Sequence, residues 1–351
     1  MNLSKLRKKI DKIDSKIVSL LNERAGTSLD IRRTKSKQKK TIYSPEREQQ
    51  VLKRLSHINR GPLENSSLEA IYREVMSSSL SLEKPIRIAY LGPEATFTHL
   101  AALKRFGSQV DYRACNTITD VFLDVEKLNA DYGVVPIENS TEGAVSHTLD
   151  MLVDSDLKIC AQIVLEISHN LLAQCTKQNI KKVYSNANAL GQCRIWLNRN
   201  LPKVDYVEVS STTRAAQICA KQKKSACIAS ILAAKMYGLR VVGRGIEDSS
   251  HNITRFLVIG QADCPQTKND RTSIVFSIKD RVGALHDMLM LFKKNKINLT
   301  KIESRPSKKK AWDYYFFVDL EGHRLEKKVL RALNQLEGQC KLLKILGSYP
   351  V

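Results

Sequence analysis

The sequence predicts a multidomain protein with an all-α segment (residues 1–84), a two-lobed α/β domain (85–263) and an α+β domain (270–351). Apolar residues of the first segment recur only at helical spacing. The middle segment alternates short apolar runs with helical patterns, which is typical of α/β domains. The last segment has the predicted order βαββαβ of a ferredoxin-like split motif. A chain of 351 residues has room for two or three such domains.

The formal net charge of +21 is concentrated at the two ends of the chain. Residues 1–84 hold 19 Lys and Arg against 10 Asp and Glu, and residues 265–351 hold 18 against 9. Aromatic residues are not interleaved with these basic residues, as a base-stacking surface would require. Anionic small molecules or solvated lysine-rich faces therefore explain the charge as well as nucleic acid does, and we expect no nucleic-acid partner.

The composition indicates a protein without a membrane segment. No apolar run approaches the length needed to span a bilayer, and the N-terminus lacks the apolar core of a signal peptide. The eight cysteines form no Cys-x-x-Cys pair, which favours reduced thiols over a disulfide framework. We expect a cytoplasmic protein with no metal and no cofactor.

The all-α segment begins with a long amphipathic helix whose inward stripe carries cations. Apolar residues repeat over residues 3–21, and Arg24 then takes the next position of the stripe. Lys35 points within about 20° of Arg24 at helical spacing. Two inward cations are costly unless they meet anions. Arg7 lies about 100° away on the helix, so it could serve a pocket in a partner chain.

A second helix is predicted to begin at Ser44-Pro45, because Ser is a good N-cap and Pro a good first helical residue. Arg47 in its first turn opposes the helix dipole, which indicates a local anion. A third helix carries apolar residues over 68–80, with Ser79 and Glu83 one turn apart. These residues alone leave open a plain helical hairpin or coiled coil with basic edges.

This segment resembles the all-helical chorismate mutase family, through residues 6–11, 20–24, Lys35, 44–48 and 79–83. The resemblance implies a helical dimer in which Arg7 crosses into the partner's site. The implied chorismate contacts are Arg7, Arg24, Lys35, Ser44, Arg47, Glu48, Ser79 and Glu83. Among them, Arg24, Lys35 and Glu83 would act on the reacting groups. The rearrangement needs no nucleophile, only a held conformer and a stabilised ether oxygen.

Glu83 departs from the family pattern, in which Gln is common. A Glu donates to the ether oxygen only when it is protonated, so we expect mutase activity to rise toward acid pH. A decayed mutase domain is the alternative, but Arg7, Arg24, Lys35 and Arg47 are all present and argue against decay.

The middle segment is organised around residues 134–152, where a buried strand ends in Glu138-Asn139-Ser140 before a helix. Free N–H groups at a helix N-terminus favour anions, and ligands of open α/β sheets bind at that edge. Five strand ends deliver Ser, Thr, Asn or Gln beside a helix in this way. The alternative is that most of these side chains are helix caps.

The same segment resembles prephenate dehydratase through residues 92–98, 135–152, 185–197, 211–216 and Thr254-Arg255-Phe256. The resemblance implies two lobes like those of periplasmic binding proteins, with the site in the cleft. Thr254 would protonate the departing ring hydroxyl, polarised by Glu138 or Arg255. The implied prephenate contacts are Thr96, Asn139, Ser140, Ser185, Gln192 and Arg255. Ala95 replaces the usual Gly, and Ala187-Asn188 replace a common Pro-Gln.

The C-terminal segment resembles the ACT amino-acid-binding domain through residues 283–286 and 303–306. A small-residue turn before a helix lets backbone N–H groups meet a ligand carboxylate. The implied contacts of the effector L-phenylalanine are Gly283, Ala284, Leu285, Glu303, Ser304, Arg305 and Pro306.

Together, the three resemblances imply a bifunctional enzyme of phenylalanine biosynthesis. It would convert chorismate to prephenate, then prephenate to phenylpyruvate, under feedback inhibition by L-phenylalanine, as a homodimer or higher oligomer. A dehydratase with a decayed mutase domain and a non-catalytic amino-acid sensor are the alternatives.

Overall fold

The computed structural model describes residues 2–37, 44–249, 251–279, 281–308 and 313–351. The chain divides into two compact units. One unit contains residues 1–87 and 105–111, and the other contains residues 88–104 and 112–351.

The first unit contains the three predicted helices, α1 (Leu3–Lys37), α2 (Pro45–Ile58) and α3 (Asn65–Glu83). Pro45 is the first residue of α2, as its fixed φ favours. The apolar stripe of α1 stays largely exposed, since Ile10 is 56% and Leu20 is 63% accessible. The rest of the described chain therefore covers little of the apolar face of α1.

The α/β part of the second unit contains eleven strands and seven helices among its described residues. The strands are β1 (Arg87–Leu91), β2 (Asp111–Cys115), β3 (Tyr132–Asn139), β4 (Gly143–Ala144), β5 (Lys158–Glu166), β6 (Asn170–Ala173), β7 (Lys182–Ser185), β8 (Asp205–Glu208), β9 (Ser225–Ala229), β10 (Arg240–Gly243) and β11 (Ile253–Gly260). The helices are α4 (Phe97–Phe106), α5 (Ile118–Glu126), α6 (Ser146–Asp154), α7 (Ala187–Gln192), α8 (Arg194–Asn200), α9 (Thr212–Cys219) and α10 (Ile231–Tyr237).

These strands form two sheets, which confirms the prediction of two α/β lobes. The first sheet has the order β2-β1-β3-β11-β5, with β4 beside β3. The second has the order β10-β6-β9-β7-β8. Strand β11 returns from the second lobe to the first sheet, where it lies between β3 and β5 and antiparallel to both. The end of β3 therefore lies beside the start of β11.

Strand β2 and helix α5 lie in residues 111–126, where no element was predicted. In β2 only Cys115 is buried, so the strand shows no apolar alternation. Helix α5 begins with a capping box between Thr117 and Asp120, a local signal that the analysis did not use.

The C-terminal domain has the predicted order βαββαβ. Its elements are β12 (Asp270–Ser277), α11 (Ala284–Lys294), β13 (Leu299–Pro306), β14 (Tyr314–Glu321), α12 (Lys327–Glu337) and β15 (Leu342–Pro350). The sheet order is β13-β14-β12-β15. One face of this sheet packs on α11 and α12 through Phe276, Phe292 and Leu333.

The other face of this sheet shares a core with the first sheet of the α/β part. Val275, Phe317 and Leu346 belong to the same buried cluster as Leu257 and Ile259 of β11. The two sheets also come very close at Gly347, where a Cβ would collide with the Ile159 backbone.

All eight cysteines are free thiols, and six of them are buried. Within the described ranges, no helix combines the length and the hydropathy needed to cross a membrane.

Candidate functional site

A polar cleft lies between the two α/β lobes. Its volume is about 300 Å³. The first lobe contributes side chains from the start of α4 and the ends of β3 and β11, and the second lobe contributes the start of α7 and of α9. The polar residues that line it are Thr96, Thr98, Asn139, Glu142, His169, Asn186, Asn188, Gln192, Ser210, Ser211, Thr212, Asn252 and Thr254.

Asn139 sets the direction of the hydrogen bonds in this cleft. Its Oδ1 accepts the backbone N–H groups of Thr141, at 2.9 Å, and of Glu142, at 3.1 Å. These donors identify Oδ1 as the acceptor and Nδ2 as the donor end. Nδ2 donates to Asn252 Oδ1 at 2.7 Å and to Thr254 Oγ1 at 2.8 Å. Thr254 therefore accepts a hydrogen bond here, and its own hydroxyl proton is left for another acceptor.

The chain of hydrogen bonds that begins at Asn139 continues from Asn252 into the second lobe. Asn252 Nδ2 donates to Gln192 Oε1 at 2.9 Å, and His169 Nε2 lies 2.8 Å from that oxygen. Because Gln192 Oε1 is an acceptor, His169 carries its proton on Nε2. Burial lowers the pKa of His169, so its ring is neutral near pH 7. His169 Nδ1 is buried, and no partner for it lies within the described residues.

Glu142 connects the two lobes and was missed by the sequence analysis. Its carboxylate accepts Asn188 Nδ2 at 2.6 Å and Gln192 Nε2 at 3.2 Å. Glu142 belongs to the β3–β4 turn of the first lobe, whereas both donors belong to α7 of the second. The Glu142 carboxylate thus accepts hydrogen bonds from two side-chain amides that face the cleft. Glu142 lies in the motif Glu-Asn-Ser-Thr-Glu-Gly, and this position could have identified it as a residue of the cleft.

The alternative that polar side chains at strand ends are caps holds for several of them. Asn186 accepts the Ala189 N–H of α7, Ser211 accepts the Arg214 N–H of α9, and Ser230 accepts the Ala233 N–H of α10. Thr96 accepts the His99 N–H of α4 and donates to Leu91 O. Thr96 nevertheless lines the cleft.

The structure separates Ser185 and Ser140 from the other predicted prephenate contacts. Ser185 is fully buried and donates to Ile228 O at 2.9 Å. Ser140 Oγ donates to His251 O and accepts the Ile253 N–H, which joins the end of β3 to the start of β11. Neither side chain lines the cleft in this structure, so contact of either residue with the substrate stays a prediction.

Glu138 and Arg255, which were predicted to polarise Thr254, do not line the cleft beside it. Neighbouring residues of a strand point to opposite faces of the sheet. Thr254 pairs with Asn139 and faces the cleft, whereas Arg255 pairs with Glu138 and faces the C-terminal domain. Glu138 and Arg255 therefore belong to a different environment from the cleft.

Arg255 lies at the centre of a group of four charges, which we call the interdomain charge cluster and which consists of Glu138, Arg255, Lys301 and Asp319. Arg255 Nε lies 2.6 Å from Glu138 Oε1, and its Nη1 lies 2.7 Å from Asp319 Oδ2. Lys301 forms an ion pair with Glu138. Burial by itself lowers the pKa of Arg255, but Asp319, Tyr349 and Glu138 outweigh it, and the pKa is raised.

The helical unit has a cavity of its own, of about 480 Å³. Five predicted chorismate contacts line it, namely Arg24, Ser44, Arg47, Glu48 and Ser79. Arg24 Nη1 donates to Ser79 Oγ at 2.7 Å, and Ser79 donates to Val75 O. Glu48 forms an ion pair with Arg105 at 2.9 Å. The cavity therefore combines at least two cations, Arg24 and Arg47, with polar groups, as a dicarboxylate site requires.

Three other predicted mutase residues are not placed in this cavity. Arg7 is exposed on α1 and does not line it. Lys35 and Glu83 belong to α1 and α3, but their side chains lie outside the described residues.

A cavity of about 300 Å³ lies at the turn before α11 in the C-terminal domain. Gly283, Ala284 and Leu285 line it, together with Arg281 and Tyr314. Gly283 has φ +77°, a conformation that Gly adopts without strain.

The second predicted effector segment, residues 303–306, lies on the edge strand β13, where Ser304 and Pro306 pair with the cavity-lining Phe316 and Tyr314 of β14. Glu303, Ser304, Arg305 and Pro306 are absent from the cavity lining, and Arg305 pairs with Asp150 at 3.2 Å. Residues 303–306 therefore adjoin the cavity wall without lining it within this chain, and their contact with an effector stays a prediction.

Comparison with known proteins finds relatives for every part of the chain. Models of the families chorismate mutase type II, prephenate dehydratase and ACT domain match residues 6–84, 88–264 and 272–338. The chain is 51% identical to a bifunctional chorismate mutase/prephenate dehydratase of Aquifex aeolicus, over 99% of this chain and 98% of that protein. It is 44% identical to a protein of the same description from Pseudomonas aeruginosa, over 99% and 97%. A crystal structure of prephenate dehydratase from Arthrobacter aurescens in complex with L-Phe is 32% identical, covers 76% of this chain and 90% of that chain, and has a TM-score of 0.71.

Proposed function

Because this chain belongs to the bifunctional chorismate mutase/prephenate dehydratase family, we propose that its two activities use the two cavities described above. The helical cavity isomerises chorismate to prephenate. The cleft between the α/β lobes converts prephenate to phenylpyruvate by loss of carbon dioxide and water.

In the helical cavity, Arg24 and Arg47 bind the carboxylates of chorismate and hold its reactive conformer. Ser79 orients Arg24 through their 2.7 Å hydrogen bond. Arg7, Lys35 and Glu83 complete the proposed set, with Arg7 supplied by a second copy of the chain. The exposed apolar stripe of α1 supports a dimer, because such a stripe is normally covered.

In the cleft, the ring of prephenate loses a carboxylate and a hydroxyl and becomes aromatic. The electron pair of the bond to carbon dioxide enters the ring as the hydroxyl leaves, and the Thr254 hydroxyl donates the proton that turns the leaving group into water. A proton from solvent then restores the Thr254 hydroxyl. The 2.8 Å hydrogen bond from Asn139 Nδ2 to Thr254 Oγ1 carries this proposal. It stabilises negative charge that develops on Thr254 and leaves the Thr254 proton available.

Gln192 and Asn188 are proposed to bind a substrate carboxylate once Glu142 moves away from them. Both are neutral amide donors that face the cleft from α7. We assign the polarisation of Thr254, which was first predicted for Glu138 or Arg255, to Asn139.

We assign regulation by L-phenylalanine to the C-terminal domain. The turn at Gly283 and its cavity offer backbone N–H groups to an amino-acid carboxylate. A structural relative has been solved with L-Phe, which supports the same effector here.

The test supplies chorismate and prephenate to the purified protein in separate assays. We expect chorismate to disappear and phenylpyruvate, read by its absorbance in alkali, to form from either substrate and to fall when L-phenylalanine is added. Phenylpyruvate from prephenate without consumption of chorismate would favour the dehydratase-only alternative. If chorismate were not consumed and no phenylpyruvate formed, the proposal would be refuted.

A further inference from the structure

The interdomain charge cluster is built from two cross-strand pairs on two facing sheets. Glu138 pairs with Arg255 across β3 and β11 of the first sheet. Lys301 pairs with Asp319 across β13 and β14 of the C-terminal sheet. The two pairs place charges of opposite sign against each other, and the side chains of Arg255 and Asp319 are only 10% and 8% exposed.

Further bonds hold Asp319 in place from within its own domain. Ser273 Oγ donates to Asp319 Oδ1 at 2.5 Å, and the Tyr349 hydroxyl lies 2.8 Å from the same Oγ. Ser273 is the cross-strand partner of Asp319 on β12. Asp319 is therefore a carboxylate of fixed orientation that the C-terminal domain presents to Arg255.

The substrate has no access to the buried part of this cluster, Arg255 and Asp319. The gap that Arg255, Lys301 and Asp319 line measures about 20 Å³, which is room for about one water molecule. A role for these charges in the reaction must therefore act through the strands that carry them.

Strand β11 connects the cluster to the cleft, because Arg255 follows Thr254 directly. The pairing of β3 with β11 is also irregular at this point. Ile137 is an extra residue of β3 between the partners of Arg255 and Phe256. Bulges of this kind redirect neighbouring side chains, and they need surrounding contacts to hold one geometry.

The cluster is not needed simply to attach the C-terminal domain. The shared core of Val275, Phe317, Leu346 and Leu257 already joins the two sheets. Buried ion pairs seldom add net stability relative to apolar contacts, so retention of four charges here calls for another role.

We propose that Asp319 of the C-terminal domain is a positioning residue of the dehydratase, which anchors Arg255 and thereby places the Thr254 hydroxyl in the cleft. This inference rests on the proposed role of Thr254. It means that the cleft has its working geometry only when the C-terminal sheet is docked with Asp319 against Arg255.

The test compares three variants of the full-length protein, namely Asp319→Asn, Asp319→Asn combined with Lys301→Met, and Asp319→Glu. The single Asn variant leaves two cations against one carboxylate, whereas the double variant restores an equal number of charges. Phenylpyruvate formation from prephenate, chorismate consumption and the thermal midpoint are measured for each. Chorismate consumption is the internal control.

We expect Asp319→Asn to lower kcat for phenylpyruvate formation about 10- to 100-fold, because small displacements of a reacting group cost this much. KM for prephenate and chorismate consumption should stay within about twofold of wild type. The double variant should recover the thermal midpoint but keep the low kcat, and Asp319→Glu should restore part of kcat.

A kcat that recovers together with the thermal midpoint in the double variant would overturn the inference, since Asp319 would then be only structural. A wild-type kcat in Asp319→Asn would also overturn it.

Should both Asn variants fail to fold, Ser273→Ala keeps every charge and frees Asp319 from its hydroxyl donor. We expect it to lower kcat about threefold at an unchanged KM, and an unchanged kcat would overturn the inference. Absence of phenylpyruvate from the wild-type protein would instead overturn the proposed function, and this inference with it.

Discussion

Asn139 donates to Thr254 at 2.8 Å, and two backbone N–H groups at the other end of the Asn139 amide determine that direction. A strand-end amide thereby controls which way a threonine hydroxyl presents its proton. The Thr254 hydroxyl accepts this bond, so its own proton is available to another acceptor.

Removal of the Thr254 hydroxyl should separate the two activities. We expect Thr254→Ala to lower phenylpyruvate formation about 10²- to 10⁴-fold, the usual contribution of a positioned proton donor. Chorismate consumption should be unchanged. Thr254→Ser, which keeps the hydroxyl, is the matched control and should retain most of the activity. Loss of both activities in Thr254→Ala would contradict the assignment of separate sites.

Asn139→Asp tests the direction of the hydrogen bonds. A carboxylate accepts from the Thr141 and Glu142 N–H groups but has no hydrogen to donate to Thr254. We expect kcat for prephenate to fall about 100-fold, as when one donor to a developing oxyanion is removed. Ser140→Ala is the neighbouring control. It loses the bonds to His251 and Ile253 but keeps the amide, and a larger loss there than in Asn139→Asp would disprove this account.

Glu142→Gln should improve the binding of prephenate. A carboxylate in the cleft repels a dicarboxylate substrate by about 1 kcal/mol at a solvated separation of 4 Å, which corresponds to about fivefold in KM. The lower KM should be clearest at low salt, where repulsion is least screened. Glu166→Gln, at the exposed end of β5, is the control with the same charge change. Equal KM values for wild type and Glu142→Gln would show that Glu142 does not compete with the substrate.

Two buried histidines should make the α/β domain sensitive to acid. Burial lowers the pKa of His99 and of His169 below the ordinary value of 6.5. Between the folded and unfolded pKa values the unfolded chain binds more protons, so stability is complete above pH 6.5 and falls as the pH drops. Thermal unfolding between about pH 7.5 and 5 should show this loss, which His169→Asn should reduce. His251→Asn, at an exposed histidine, is the control. If it reduced the loss of stability at low pH as much as His169→Asn, burial of His169 would not be the cause.

The mutase cavity can be tested at Arg24. Lys keeps the charge but loses the two-pronged donor geometry, so Arg24→Lys should lower kcat/KM for chorismate about 10²-fold and leave prephenate conversion unchanged. Ser79→Ala removes the 2.7 Å bond to Arg24 and the bond to Val75 O but keeps the Arg24 guanidinium, and we expect a smaller loss. An unchanged rate in Arg24→Lys would remove Arg24 from the site.

Local pattern in the sequence was enough to identify the architecture and several of the polar residues that line the cleft. The spacing of apolar residues predicted α1 and α3, and the Ser44-Pro45 start signal predicted α2. The motifs singled out Thr254, Asn139 and Gln192, which the fold brings together. These features depend on short-range periodicity and on side-chain chemistry, both of which are contained in neighbouring residues.

Only the tertiary structure decided which face of the sheet each of these residues uses. Glu138 and Arg255 stand next to Asn139 and Thr254 in the sequence, yet they face the C-terminal domain. Their true partners, Asp319 and Lys301, come from strands far along the chain. The register of β3 and β11, with its extra residue at Ile137, is set by long-range pairing. Motifs that run along one strand therefore do not show how the sheet divides their side chains between its two faces.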